Sequence, residues 1–140
     1  MIILDTNVLS ALMQKNPEPA VVEWLDQQPS ESVWITSITL FETRLGLALL
    51  PGGRRRQALE TAFAQLLAED LEERVLDFDR AAAEAAASLA AERQRNGRPV
   101  DMRDTQIAGI VIARRAKLAT RNVKHFADLT AEVVNPWQGK

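Results

Sequence analysis

Asp5, Glu42 and Asp104 are the residues whose types and placement in this sequence can do chemistry together. Asp5 follows Ile2, Ile3 and Leu4, a short aliphatic run with two β-branched members that reads as a buried strand. The run gives way at once to Asp5, Thr6 and Asn7, so the carboxylate stands where a central strand ends. In open α/β sheets, ligands bind in the crevice at the carboxyl ends of the strands. Residues of these types also cap helices well, which is the competing reading. Glu42 has Ile38, Leu45 and Leu49 as neighbours at helical spacing, which puts a carboxylate on an apolar stripe. A charge there is costly unless it is answered, either by an ion pair with Arg44 or Arg103 or by a metal or catalytic site. Asp101 and Asp104 are spaced as the cap and third-position acid of a helix. Asp104 also shares a stripe with Ile107, Ala108 and Val111, and so faces the end of the sheet. Asn122 lies just past the run Leu118, Ala119, Thr120.

If the strands are parallel and adjacent, these four residues meet at one edge. Three carboxylates brought together repel one another unless a cation is bound. Hard oxygen ligands, with no cluster of His or Cys, suit Mg²⁺ or Mn²⁺ rather than zinc. The lone His125 reads as a surface residue beside Phe126.

The elements that must position these groups alternate. A short helix is expected over 8–13, ended by Asn16 and Pro17, and a second over 19–28 with Pro19 in its first turn. Val33 to Thr36 has the length and β-branching of a strand. A helix over 37–50 then carries Glu42 and stops at Pro51, Gly52 and Gly53. Arg54, Arg55 and Arg56 begin a helix to about residue 68, and such a charge run is ordinarily a solvated face. A strand over 74–78 and a long alanine-rich helix over 79–96 follow, the latter closed by Asn96 and Gly97. The small residues of that helix imply close packing on a neighbour, within the domain or across a dimer interface. The helix bearing Asp104, a strand over 118–120, a short turn over 123–126 and a last strand over 133–135 complete the chain. This alternation predicts an α/β fold, three layers around a mainly parallel sheet, as a single domain over 1–140.

Composition bounds the function. At 140 residues the chain is long enough for a sizeable core, and its net charge of −2 supplies no overall field for nucleic acid. There is no cysteine, which excludes disulfides and thiolate chemistry. No apolar run approaches the roughly 18 residues of a membrane span, and no signal-peptide pattern opens the chain, so a cytoplasmic protein is expected.

Taken in order, several short segments carry a resemblance. They are Ile3 to Val8, the run from Ser37 through Glu42 to Gly46, Asp104 to Ala108, Ala119 to Asn122 with Phe126, and Asn135, Pro136, Trp137. In these the sequence resembles PIN-domain ribonucleases, specifically the VapC-type toxins of toxin–antitoxin pairs and their FitB-like and plasmid-stability members. The resemblance implies Mg²⁺-dependent RNA cleavage, with Asp5, Glu42 and Asp104 as the acidic site residues. It also implies a homodimer, and neutralisation by a small cognate antitoxin that lays a C-terminal segment over the site and carries a DNA-binding domain. Many members have Asp at the positions of Asn122 and His125, so Asn122 is expected to be a weak ligand at best.

On this reading Asp5 and Asp104 hold the cation. Glu42 orients or deprotonates water, or ligates a second ion. Thr6, Asn7 and Thr120 support the site, and Arg103, Arg121 or Lys124 contacts the RNA backbone. Two alternatives remain at this point. A haloacid-dehalogenase-like phosphatase would want an Asp where Asn7 stands, and a binding module with the fold but no turnover would cleave nothing.

Overall fold

The computed structural model describes residues 1–138, so the last two residues of the expected domain, 139 and 140, lie outside the described residues. Five strands form one sheet: β1 (Ile2–Leu4), β2 (Val33–Thr36), β3 (Val75–Leu76), β4 (Lys117–Ala119) and β5 (Val133–Val134). Their order is β3-β2-β1-β4-β5. All four pairings are parallel. The chain winds outward from β1 through β2 to β3, then returns to the other side of β1 for β4 and β5. The strand order therefore reverses at β1, and the carboxyl ends of β1 and β4 frame the crevice where such sheets bind ligands.

The pleat divides the core in two. Ile2 and Leu4 of β1 join Val33 and Ile35 of β2 in one cluster, beneath α1 (Thr6–Leu12), α2 (Pro19–Asp26), α3 (Ser37–Leu49) and α4 (Arg54–Gln65). Ile3 and Leu118 point the other way, into a cluster built with α5 (Arg80–Arg95) and α6 (Met102–Arg114). Side chains alternate across a strand, and a central strand covered on both faces must be apolar throughout, as β1 is. Right-handed crossovers require helices on opposite faces when the direction of winding reverses. The outcome is three layers, with no helix among the described residues long and apolar enough to cross a membrane.

The element boundaries moved in informative ways. The first helix starts at Thr6, because the Asp5 carboxylate accepts the Thr6 N–H and caps it. The third strand shrinks to Val75 and Leu76, since the Arg74 N–H turns back to the Leu71 carbonyl and the Phe78 N–H is taken by the Ser37 hydroxyl. The helix over 54–68 ends at Gln65 and widens into a π-turn, Leu66–Asp70. Arg54 and Arg55 lie in solvent and Arg56 pairs with Glu60, a solvated face as expected. The alanine-rich helix packs within the domain, on α6, where Gly109 leaves no room for a side chain: a Cβ there would sit 2.5 Å from the Ala82 carbonyl oxygen and 2.6 Å from the Ala86 Cβ. Gly97, at φ +69°, closes it. A short helical turn, Pro136–Gln138, follows β5.

Candidate active site

Strand register sets the site. Ile3 pairs with Leu118 and Leu4 with Ala119, and the Asp5 N–H donates to the Ala119 carbonyl, so Asp5 and Thr120 leave the sheet side by side. Asp5 is 3% exposed, an unusual place for a carboxylate. Its Oδ1 accepts the Thr6 N–H at 2.8 Å. Its Oδ2 accepts the Thr120 hydroxyl at 2.7 Å and the Asn7 amide at 3.3 Å. Asn7 in turn accepts the Arg121 N–H at 3.1 Å, joining the end of β1 to the end of β4. Capping and site geometry are thus one arrangement.

Glu42 arrives from α3. Its Oε1 accepts the Thr6 hydroxyl at 2.6 Å, and Thr6 sits 3.0 Å from Thr39, whose own N–H is held by the cap residue Thr36. A chain of hydroxyls therefore runs from the end of β2 to Glu42. The stripe reading of α3 needs correction: its buried residues are Thr39, Thr43 and Leu47, while Leu49 is 76% exposed. Periodicity marked a helix but chose the wrong face, because this helix turns threonines toward the site and sheet. Glu42 does have an ion-pair partner, Arg103, at 3.5 Å, and both are partly open to solvent. The alternative partner, Arg44, lies over the Phe63 ring instead.

Asp104 comes from the first turn of α6, capped by Asp101, which accepts the Asp104 N–H at 3.0 Å. It is half-buried at the sheet end, as expected. Burial, helped by the charges of Asp104 and Glu42, raises the Asp5 carboxyl to about 6 against the pull of the Thr120 and Thr6 bonds. Burial likewise raises Asp104, with Asp101 and Glu42 adding to it and the His125 contact opposing it. The three carboxylates thus share one electrostatic neighbourhood.

His125 lies at the surface, as read, yet its Nδ1 is 3.3 Å from Asp104 Oδ2. Sequence reasoning missed that contact, and also Thr39, for want of any periodic signal. Asn122 is exposed, and what ties it to the site is its N–H, donated to Thr120 Oγ1 at 3.0 Å. Arg103 lies over the Phe41 ring and Arg121 over the Trp137 ring, while Lys124 is exposed.

No three His, Asp or Glu side chains among the described residues enclose a metal position directly. The donor set still fits a hard divalent cation that keeps most of its water: oxygen donors only, mutually repelling, with Asp5 and Asp104 raised by burial. Mg²⁺ is commonly bound this way, through one or two carboxylates.

Residues 2–131 match the PIN domain family. The chain belongs to that family. The PIN domain is 36% identical over 138 residues to the VapC ribonuclease Y4jK of Sinorhizobium fredii, covering 99% of each chain. It is 34% identical over 137 residues to the toxin FitB of Neisseria gonorrhoeae, covering 98% of this chain and 99% of that one. The solved structure of FitAB bound to an IR36 DNA fragment matches with a TM-score of 0.88 at 34% identity, covering 98% of this chain and 96% of that one. Membership of the PIN family sets the phosphatase alternative aside.

Proposed function

We infer that this PIN domain is a divalent-metal-dependent ribonuclease, the toxin of a toxin–antitoxin pair whose partner is a cognate antitoxin. The observation that carries this is the meeting of Asp5, Glu42 and Asp104 at the point where strand order reverses, in a chain that aligns end to end with a VapC ribonuclease. Asp5 and Asp104 would hold the cation, Mg²⁺ or Mn²⁺, and Asn122 would contribute weakly if at all. When bound, the cation stabilises charge on the phosphoryl oxygens and acidifies water.

The chain's own residues do the rest. Thr6, fixed by Thr39, aims Glu42. Glu42 takes the proton of a water whose oxygen adds to phosphorus as the bond to the leaving ribose oxygen breaks, and that oxygen takes a proton from solvent water. Thr120 and Asn7 keep both oxygens of Asp5 in place. Arg103, Arg121 and Lys124 contact phosphates and position the strand without reading sequence. Arg103 is seated on Phe41 and shared with Glu42, so it is already at the site edge.

Purified chain should be offered a labelled RNA and a phosphomonoester, each with Mg²⁺ and with chelator. Cleavage of RNA alone, abolished by chelator, is expected. Turnover of the monoester, or RNA cleavage that persists in chelator, contradicts the proposal. A folded chain that cleaves nothing supports the binding-module reading.

A further inference from the structure

Arg93, in the last turn of α5, is 3% exposed. A guanidinium so placed is costly unless its N–H groups are met, and here they are. Its Nε and Nη2 grip Asp128 as a fork at 2.8 and 3.0 Å. Nη2 also donates to the His125 carbonyl at 2.9 Å, and Nη1 to Thr105 Oγ1 at 3.1 Å. The Thr105 hydroxyl passes the contact on, donating to the Asp101 carbonyl at 2.7 Å.

Every one of these partners lies on a segment that presents a site group. Thr105 follows Asp104, and Asp101 caps the same helix. His125 belongs to the turn Val123–Phe126, and its ring meets Asp104. Asp128 lies just beyond that turn. The bonds from Arg93 hold the Asp128 carboxyl below the usual range, so the pair is charged near neutrality. Arg93 is buried but Asp128 is open to solvent, and a salt bridge reached by water adds little stability of its own. What the fork supplies is fixed geometry.

We propose that Arg93 is a positioning residue for the active site: it clamps the start of α6 to the turn over 123–126 and thereby fixes Asp104 against His125. The inference rests on the reading of Asp104 as a cation-binding carboxylate. Loosening the clamp leaves every carboxylate present but lets Asp104 wander, so cation affinity falls while chemistry at saturating metal survives.

The test compares Arg93→Lys with Arg74→Lys, a change at the other structural arginine, which ties carbonyls among Ser30, Val33 and Asp70 and touches no site residue. Mn²⁺ binding is read by calorimetry and RNA cleavage across a Mn²⁺ series. Arg93→Lys is expected to need about tenfold more Mn²⁺ for half-saturation, the low end of what outer partners of metal ligands contribute, with kcat largely restored by excess Mn²⁺. Arg74→Lys is expected to lower the thermal midpoint and leave the Mn²⁺ midpoint unmoved. If Arg93→Lys does not fold, Asp128→Asn, which weakens the fork and also the surface pair of Asp128 with Arg98 at 3.4 Å, carries the same expectation. Equal Mn²⁺ midpoints in wild type and the folded variant overturn the inference. Asp104→Asn separates the two failures: if it binds Mn²⁺ like wild type, the reading of Asp104 itself is wrong.

Discussion

Asp5 combines two demands at one position: it caps α1 and offers a buried carboxylate to the crevice. Its carboxyl, raised by burial to about 6, binds a proton in the folded metal-free protein where the unfolded chain has already lost it. Between pH 4 and 6, roughly, the native state therefore holds more protons, and stability falls as pH rises through that window. Asp5→Asn removes the penalty. We expect its thermal midpoint, without metal at pH 7.5, to be no lower than that of wild type, and its pH dependence between 4 and 6 to flatten. A fluorescence melt across pH checks this; a destabilised variant with an unchanged profile contradicts it. The placement of Asp5 and Asp104 was legible because a strand end and a helix start each leave a local mark; Glu42 stood out as an acid on a stripe that the structure does not bury. The His125 contact was not legible, because it depends on where a turn lands relative to a helix residue 21 positions earlier in the chain.

At the scale of elements, the strands and helices were legible from β-branched runs, capping residues and glycine or proline stops. Which face of a helix is buried was harder. On α3 the apolar stripe misled, since threonines carry the inward contacts and Leu49 does not. On α5 the small residues spoke clearly of close packing but could not say on what. The structure answers with α6, drawn in at Gly109. Gly109→Ala places a methyl against the Ala82 carbonyl and the Ala86 side chain, overpacking that typically costs about 1–3 kcal/mol. Urea denaturation should show the loss. A midpoint equal to wild type would mean that the two helices separate freely.

For the whole molecule, a net charge of −2 leaves RNA binding to local cations. Arg121, exposed and seated on Trp137, and Lys124 flank the end of β4 beside the acidic site. The KM for RNA should rise with salt, and Arg121→Gln or Lys124→Gln should each flatten the logarithmic slope by about 0.7, the increment for one phosphate contact on a single strand. Unchanged slopes would place the RNA elsewhere. The central proposal is that Asp5, Glu42 and Asp104 act as one unit: Thr6 bridges Asp5 and Glu42, and a shared cation would bring in Asp104. Residues that act as a unit show strongly non-additive losses. The direct measurement is the RNA cleavage rate, at fixed saturating Mg²⁺, of Asp5→Asn, Glu42→Gln, Asp104→Asn and the double variant of Asp5 and Asp104. Each single change is expected to lower the rate by about 10² or more, and the double variant to be hardly slower than the worse single. A single variant with the wild-type rate, or losses that multiply as if independent, contradicts the account.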